Sequence, residues 1–588
     1  MTMIDLTIFK RYFFRFENLF YAVFISILYL FILNNYVGKA DTTIVADGVG
    51  YYDYLPSAFI HHDLCRYLED VDADSAVYQR VNGIDVYANW KNAKVNRYPV
   101  GVAVLQFPFF FVTNLQHQHD SNLTGYEPFF QKMVFISAIF YLILGLFFLM
   151  KVLEIYDVKR VLRFFIGLFA LLSTSLSYYA QMESSFSHVY SFFVINAFVY
   201  FSLNFFKKSD SKYFLLAAAF LGIIFLIRPV NLLVVFFLPY LAGSLSNLKD
   251  SFLKLFQRPF ILFLGVFVMG IMMFLQFLLY FLQTGDFLVY SYSGYGFDFL
   301  NPHFFDILFS FKKGLFIYTP ILIFVFPALI YLIIKRKMEL VLLWLFAMGL
   351  VTYIFSSWES WFYGCSYGLR VYIDYYLFFF IPIGLWMNKQ KIWLQFSSLA
   401  VAVFFVYINL VQVYQYQNFI LHWDNMDKLS YKKVFLKTDH RFKGLLWKME
   451  IFPEFYQLSK RYETEVLNLP KNSSLELLSI SSSEIPNVST LKFIRLELAN
   501  NFDVNDPTRF ILSVQDADSS SVFWFPFYLI HLSADEFGKK QRGYYNFDLQ
   551  NIEFEDNFII KIEVFTGDFP TSLEKIQVDF YTDKFIIQ

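Results

Sequence analysis

The stretch DGVGYYDYLP occupies residues 47–56 and continues to two histidines and an aspartate at 61–63. It places three carboxylates, those of Asp47, Asp53 and Asp63, within seventeen positions, directly after the first strongly apolar segment at 19–34. Ionisable groups close to a membrane are costly and are candidates for function. We therefore expect the rest of the chain to bring further polar groups to the same face as this acidic loop.

The composition is typical of membrane proteins. Of the 588 residues, 57% are hydrophobic and 22% aromatic, whereas only 16% are charged; a soluble globular protein carries about 25% charged residues. Repeated long apolar runs lead us to predict a polytopic α-helical membrane protein. The net charge of −1 gives no electrostatic basis for binding nucleic acid. Two cysteines, Cys65 and Cys365, are too few for a disulfide framework or a cysteine-based metal site.

The positions of the cations predict how the chain crosses the membrane. Lys10, Arg11 and Arg15 precede the first apolar segment, which we interpret as an uncleaved signal anchor with a cytoplasmic N-terminus. Keeping the later basic links in the cytoplasm requires the apolar run at 99–116 to be re-entrant or to lie on the surface. This predicts a multi-pass protein of the inner (cytoplasmic) membrane, with residue 47 and the C-terminus extracytoplasmic. The eleven expected transmembrane helices are 19–34, 128–150, 164–182, 187–206, 213–227, 229–243, 260–283, 315–334, 339–357, 371–388 and 392–412.

The pattern changes near residue 424, which divides the chain into domains. Residues 1–423 form the expected transmembrane domain, whose first outer loop at 36–127 carries the acidic motif. Residues 424–466 mix aromatic and charged side chains and suit a membrane-surface linker. Alternating patterns at 475–478, 493–498, 510–514, 558–564 and 576–580 predict an extracytoplasmic antiparallel β-sandwich at 467–588. It contains no catalytic motif, so we expect a structural or sugar-touching cap.

Polar residues that interrupt the apolar pattern collect on the expected outer side, whereas the inner side shows only solvated cations. A carboxylate on a partly desolvated aromatic surface can act as a general base. Arginine and lysine at the lipid–water boundary can hold a lipid-borne phosphate, and aromatic rings can pack against a sugar or a polyprenyl chain. Together these groups suit transfer of a sugar from a lipid-linked donor. The interrupting residues are Arg97, Tyr98, Glu183, His188, Arg228, Asn231, Asn301, His303, Lys312, Lys313, Trp358, Glu359, Trp361 and Arg370.

The order of these motifs resembles the GT-C superfamily of integral membrane glycosyltransferases, particularly bacterial enzymes related to protein O-mannosyltransferases and the lipid A aminoarabinose transferase. The resemblance covers roughly residues 1–412 and begins with the acidic motif in the first outer loop. It continues through RYPVG at 97–101, ESSFSH at 183–188, RPVN at 228–231, KGLFIYTP at 313–320 and WFYGCSYGLR at 361–370.

The resemblance implies an inverting transfer from a polyprenyl-phosphate sugar to a hydroxyl acceptor, which is a glycan, a lipid or a protein. Asp47 matches the catalytic aspartate that deprotonates the acceptor. Many members have Asp-Glu where this chain has Asp47-Gly48, which removes an obvious second metal ligand; no metal is expected to be required, with a divalent ion left open. The remaining expected roles are supporting polar groups at Asp53, Asp63, Glu183 and His188, phosphate binding at Arg97, Arg228, Lys313 and Arg370, and sugar or acceptor contact at Tyr51, Tyr52, Tyr98 and Trp361.

Other interpretations of the same residues stay open. Asp47 is also suited to a helix N-cap, Lys313 and Arg370 to helix ends at headgroup level, and the pair Trp358 and Trp361 to an interfacial aromatic belt. A transporter or flippase of lipid-linked saccharides would use broken helices as well, such as the pair that meets at 228–229, but internal duplication is expected for it. A lipid-linked glycan polymerase or ligase would be expected to centre on a large late outer loop. The first outer loop is the longest between the expected spans, which favours the monophosphate-donor hypothesis.

Overall fold

The computed structural model describes residues 3–32, 43–64, 86–120, 122–292, 295–424, 426–439, 442, 446, 456–464, 467–501, 508–516, 521–528, 540–549, 557–567, 570–573 and 575–583. Cys65 lies outside these residues. The chain divides into two compact units, Met1–Leu410 and Val411–Gln588.

The first unit is built mainly of helices. Long apolar runs form helices because a bilayer interior offers no hydrogen-bond partners to main-chain groups, whereas a helix pairs these groups with one another. Prolines begin two of the longest helices, at Pro128 and Pro259, where a missing main-chain N–H has no cost. The α-helices are Met3–Ile32, Asp47–Tyr52, Tyr54–Phe59, Gly101–His117, Pro128–Ile155, Arg160–Leu172, Leu176–Gln181, Ser187–Lys208, Ser211–Ile227, Leu238–Ala242, Leu245–Phe256, Pro259–Thr284, Phe304–Phe309, Leu315–Tyr318, Val325–Ile334, Met338–Ser356, Tyr376–Asn388 and Ile392–Gln417. The 3₁₀-helices are Pro229–Phe237, Pro320–Phe324 and Arg370–Tyr375, and strands β1 (Tyr87–Trp90) and β2 (Ala93–Asn96) form an antiparallel pair.

Several of these helices indicate a membrane protein. Shorter apolar helices occupy Glu17–Phe31, Ser211–Ile227 and Pro320–Ile334. The helices Pro229–Ala242 and Leu245–Phe256 are bent by 107° and add a seventh candidate span if they count as one. The expected total of eleven spans stays a prediction. Among the described residues, the six helices long and apolar enough to cross a membrane are Pro128–Ile155, Ser187–Lys208, Pro259–Thr284, Met338–Ser356, Arg370–Asn388 and Ile392–Gln417.

The expected span at 164–182 is interrupted. The run 164–182 forms the helices Arg160–Leu172 and Leu176–Gln181, which a Ser-Thr-Ser turn separates. The hydroxyl groups of Ser173 and Thr174 donate to main-chain oxygens four residues earlier, at 2.5 and 2.6 Å. Side-chain bonds of this kind compete with the helical ladder and favour its end. The apolar pattern continues on both sides of the turn, so hydropathy alone did not reveal it.

The apolar run at 99–116 forms the helix Gly101–His117, which packs against the short helices of the first loop. A Cβ atom at Gly101 would overlap the main chain of Leu226 and Ile227. Glycine therefore permits close contact between this helix and Ser211–Ile227. The main-chain N–H of Val100 donates to Gln276 Oε1 at 2.8 Å. These contacts attach the acidic loop to the helical bundle.

The basic links expected on the inner side do not carry only solvated cations, since the Arg163 side chain is 6% exposed. Glu17 of the first helix is buried and pairs with Arg163 and, at 2.6 Å, with Arg160 Nε. Arg163 Nη1 also lies 3.2 Å from Glu154 Oε2. The acid that neutralises these cations comes from a distant segment, so local charge counting could not detect the pairing. These ion pairs compensate the buried charge of Glu17 and connect the first helix to Arg160–Leu172.

The second unit contains an antiparallel β-sandwich. Its strands are β3 (Tyr456–Thr464), β4 (Leu467–Leu469), β5 (Ser474–Ser481), β6 (Leu491–Asn501), β7 (Arg509–Asp516), β8 (Ser521–Tyr528), β9 (Lys540–Asp548), β10 (Phe558–Phe565), β11 (Thr571–Leu573) and β12 (Lys575–Asp583), with a helix at Lys428–Val434 before them. One sheet has the order β5-β10-β7-β8 and the other β3-β12-β6-β9, with a small β4-β11 pair. Both sheets contribute to one hydrophobic core, and burial alternates along β10 as a half-buried strand requires.

All five strand segments expected from the sequence lie within these strands. The boundary of the region differs from the expectation. Strand β3 falls in the expected linker 424–466, so the β-region begins before residue 467.

Candidate active site

A cavity of about 500 Å³ lies in the first unit, where six separate stretches of the chain meet. The stretches are 47–51, 97–99, 186–188, 228–230, 280–297 and 355–370. The segment 280–297 was the one of these six that was not singled out in the sequence, although its density of tyrosine residues was visible. The lining residues are Asp47, Tyr51, Arg97, Tyr98, Pro99, Phe186, Ser187, His188, Arg228, Pro229, Val230, Tyr280, Val289, Tyr290, Ser291, Tyr292, Tyr295, Phe297, Phe355, Trp358, Ser360, Tyr363, Gly364 and Arg370.

Asp47 opens the helix Asp47–Tyr52 and reaches the cavity. The residue before it, Ala46, has a φ of +47°, a conformation that is unfavourable for a residue with a Cβ atom and turns the chain sharply at this point. A Cβ atom at position 48 would overlap the side chain of Ser185. Gly48 therefore lets the helix start approach the 183–187 loop, and no space exists there for a larger side chain. The alternative role of Asp47 as an N-cap is wrong, since Ala46 occupies that position and no side chain caps the helix.

The Asp47 carboxylate has two direct partners across the cavity. Arg370 Nη1 lies 2.7 Å from its Oδ2, and the Tyr98 hydroxyl donates to its Oδ1 at 3.1 Å. The Asp47 side chain remains 30% exposed and that of Arg370 14% exposed, so the pair faces the cavity. A ligand that carries an anion or a hydroxyl group can therefore contact both the Asp47 carboxylate and the Arg370 guanidinium.

Cations and aromatic rings make up most of the remaining functional lining. Arg97, Arg228 and Arg370 contribute three guanidinium groups, and Asp47 contributes the one carboxylate found in the lining among the described residues. The rings of Tyr51 and Tyr98 are 4.9 Å apart. A surface that combines several guanidinium groups with aromatic faces suits an anionic ligand that also carries a ring or a hydrocarbon chain.

Trp358, rather than Trp361, provides the tryptophan of the cavity. Trp358 packs at 4.9 Å against Phe297 and at 6.0 Å against Tyr292, measured between ring centroids. Trp361 lies outside the lining, where its ring stacks on His303. The expectation that Trp361 belongs to the site is therefore wrong, and Trp358, three positions earlier, lines the cavity instead.

Lys313 is buried and lies outside the cavity lining. Its ammonium donates to the main-chain oxygens of Gly364 (3.2 Å) and Ser366 and to Ser366 Oγ (2.9 Å). This position contradicts direct phosphate binding by Lys313 in the described conformation, since three acceptors already surround the ammonium. Lys313 instead supports the loop that leads to Arg370.

Asp53, Asp63 and Tyr52 also lie outside the lining. Asp53 is fully buried and accepts hydrogen bonds from Tyr126 (2.7 Å), Ser57 (3.2 Å) and Tyr87. Burial raises the pKa of this carboxyl, and the three hydroxyl donors oppose the rise. Asp53 therefore acts as a structural centre of the loop rather than as a supporting acid of the site.

The Tyr52 ring lies in the apolar core of the loop, with its hydroxyl donating to Gly125 O at 2.6 Å. Helix periodicity explains the difference from Tyr51, since consecutive helical residues point in different directions. Asp63 follows the helix Tyr54–Phe59, and its main-chain N–H donates to Ser57 O at 2.9 Å. Neither Tyr52 nor Asp63 meets the expectation of a site residue.

Glu183 lies next to the cavity, between the helices Leu176–Gln181 and Ser187–Lys208. The Tyr178 hydroxyl donates to its Oε1 at 3.0 Å. Burial raises the pKa of Glu183 to about 7, and the positive charge of Arg370 opposes the rise. The carboxyl can thus change its protonation state near neutral pH beside the Asp47–Arg370 pair.

Sequence reasoning missed Asp374, a fully buried carboxylate behind the cavity. Its Oδ1 lies 3.1 Å from His188 Nδ1, and its Oδ2 accepts from Arg228 Nη1 at 3.1 Å and from Asn231 Nδ2 at 2.7 Å. The available signal was an acid within an apolar run, four positions after Arg370. Such a residue in a membrane segment is a functional candidate.

Within the described residues, no three His, Cys, Asp or Glu side chains are arranged to hold a metal ion. The expectation that no metal is required stays a prediction. The sequence matches no protein-family model and no curated protein. Functional assignment therefore depends on the chemistry of the cavity.

Proposed function

We propose that the protein is an inverting glycosyltransferase that moves a sugar from a polyprenyl-phosphate donor to a hydroxyl acceptor. The observation that carries the proposal is the meeting of the Asp47 carboxylate with the Arg370 guanidinium in an aromatic cavity that also holds Arg97 and Arg228. A base, a phosphate clamp and a surface for rings and hydrocarbon are the three parts that this reaction needs.

In the proposed reaction Asp47 takes the proton of the acceptor hydroxyl. The hydroxyl oxygen forms a bond to the anomeric carbon as the bond between that carbon and the phosphate oxygen breaks. The electron pair of the broken bond stays on the leaving phosphate, whose additional negative charge is stabilised by Arg370 and Arg228. Attack opposite the leaving group inverts the anomeric configuration. Tyr98 donates a hydrogen bond to Asp47 Oδ1 and so holds the carboxylate in place.

The Asp47–Arg370 pair has a direct role in the proposed reaction. A guanidinium has five N–H donors and can serve the carboxylate and a phosphate together. In the resting protein Arg370 holds the Asp47 carboxylate in a fixed orientation. When the donor enters, Arg370 shares its donors with the phosphate, and the base and the leaving group are brought to one place.

The proposed location of the cavity is the extracytoplasmic side of the membrane, following the distribution of cations in the sequence. The lipid carrier would supply the hydrocarbon chain from the bilayer, while the acceptor identity stays open. The aromatic residues of the segment 280–297 are the proposed contacts of the sugar or of the first isoprene units.

Identification of the co-purifying lipid tests the proposal. We expect mass spectrometry of the protein, extracted in mild detergent, to detect a polyprenyl phosphate that is lost from an Arg370→Ala variant. Calorimetric titration with farnesyl phosphate, farnesol and inorganic phosphate separates the contributions of the two parts of the carrier. Farnesyl phosphate should bind more tightly than either of the others. Equal binding of farnesol contradicts a phosphate clamp, and equal binding of inorganic phosphate contradicts a lipid-linked donor.

A further inference from the structure

The buried Asp374 joins three parts of the chain that border the cavity. His188 is at the start of Ser187–Lys208, Arg228 and Asn231 flank the start of Pro229–Phe237, and Asp374 belongs to Arg370–Tyr375. Both carboxylate oxygens are used: Oδ1 by His188, and Oδ2 by Arg228 and Asn231. His188 and Arg228 line the cavity, whereas Asp374 lies behind them.

Burying this carboxylate is costly, since a charge removed from water loses its solvation. Well-packed apolar residues often stabilise a fold as much as a buried ion pair does, so stability alone does not account for the arrangement. A requirement to hold the Arg228 guanidinium in one orientation does account for the buried carboxylate. Arg228 has a guanidinium that is 15% exposed, and its Nη1 is fixed by Asp374. Arg228 also lines the cavity, so this contact orients a guanidinium that borders it.

Arg370 and Asp374 are on the same short helix. Arg370 pairs with Asp47 at 2.7 Å, and Asp374 pairs with Arg228 at 3.1 Å. In a 3₁₀-helix, which rises about 2 Å per residue, four positions correspond to about 8 Å along the axis. The helix Arg370–Tyr375 therefore sets the separation of the two guanidinium groups that meet at the cavity.

His188 contacts the same carboxylate. Its Nδ1 lies 3.1 Å from Asp374 Oδ1, so Asp374 also fixes the orientation of the imidazole ring that lines the cavity.

We propose that Asp374 is a positioning residue for the lipid-borne phosphate, acting through Arg228. The inference rests on the proposed function and assigns the two arginines to the same phosphate. Arg370 is oriented by the base, and Arg228 is oriented by a buried counter-charge. Loss of the Asp374 charge releases Arg228 and weakens recognition of the phosphate, while the apolar part of the carrier binds as before.

The test compares Asp374→Asn with wild-type protein by calorimetric titration of farnesyl phosphate and farnesol in detergent. We expect affinity for farnesyl phosphate to fall at least about tenfold and affinity for farnesol to stay unchanged. If Asp374 acts through Arg228, Arg228→Gln and the double variant should bind farnesyl phosphate with equal affinity, a non-additive result. Wild-type affinity in folded Asp374→Asn, or an equal loss for both ligands, overturns the inference.

Asp579 offers a matched control. It is also a buried carboxylate, and it accepts from Arg461 (2.7 and 2.8 Å), Gln577 (2.9 Å) and Tyr581 (3.4 Å) in the β-sandwich. Asp579→Asn should lower the melting temperature and leave both affinities unchanged. A loss of farnesyl phosphate affinity in this control equal to that in Asp374→Asn would contradict a local positioning role.

A second variant keeps the test decisive if Asp374→Asn does not fold. Asn231→Ala removes the shortest of the three hydrogen bonds to Asp374 and changes no charge. We expect about threefold weaker binding of farnesyl phosphate and unchanged binding of farnesol; unchanged affinity for both overturns the inference. Wild-type protein that binds farnesyl phosphate no better than farnesol refutes the proposed function itself, a result distinct from any difference among the variants.

Discussion

Replacing Asp47 by asparagine separates the roles of base and phosphate clamp. Asparagine keeps the size of the side chain but cannot take a proton, so the loss of a general base should reduce turnover by about 10²- to 10⁴-fold. This corresponds to about 3 to 5 kcal/mol of transition-state stabilisation. The substitution leaves Gly48 and the helix start intact, which limits effects on folding.

The same substitution should not weaken donor binding. At an effective dielectric constant near 20, two unit charges about 8 Å apart interact by about 2 kcal/mol. The Asp47 carboxylate repels a donor phosphate by less than this, because its side chain is 30% exposed and solvent screens it. Removing the charge also frees Arg370 for the phosphate. We therefore expect affinity for farnesyl phosphate to stay equal or to rise by less than about tenfold.

Turnover is measured in membranes from cells that produce each variant, since these supply the acceptor. A radiolabelled glycosyl polyprenyl phosphate is added, and the polyprenyl phosphate released is quantified after lipid extraction. Asp63→Asn is the control in the same loop, because Asp63 lies outside the cavity lining; its turnover should stay within about threefold of wild type. Turnover of Asp47→Asn within tenfold of wild type, at equal amounts of folded protein, refutes the general-base role.

Three further predictions address the support of the site. Gly48→Ala should lower turnover at least tenfold because the new Cβ overlaps Ser185; the double variant with Ser185→Gly should recover most of it, and no recovery would contradict the steric explanation. Burial raises the Glu183 pKa from its ordinary 4.5 to about 7, so its contribution to stability is present below pH 4.5 and is lost as pH rises through 7. Thermal unfolding of Glu183→Gln in detergent should show a weaker decline over that range, and an unchanged decline would contradict the assignment. Lys313→Met should cost about 1–3 kcal/mol of unfolding free energy, measured by chemical denaturation, because Gly364 O and Ser366 lose a buried donor; it should weaken farnesyl phosphate binding less than Arg228→Gln does, and the reverse order would restore Lys313 as a phosphate ligand.

Much of the site was foreseeable because its residues interrupt a strong pattern. Asp47, Arg97, Tyr98, Arg228 and Arg370 all break or border apolar runs, and all five line the cavity. The burial cost of ionisable groups near a membrane makes such interruptions informative one residue at a time. The same reasoning selected Lys313 and Asp53, which are buried for structural reasons instead. A polar residue in an apolar context is thus a candidate, but its role depends on which partners reach it.

The sequence by itself determined the class of the protein, since runs of about 20 apolar residues and alternating strands are local patterns that need no tertiary information. Only the tertiary structure decided that Asp47 meets Arg370, that Trp358 rather than Trp361 faces the cavity, and that Asp374 holds Arg228. The physical reason is that periodicity specifies the face of an element, whereas hydrogen bonds between residues more than a hundred positions apart depend on how several elements pack together.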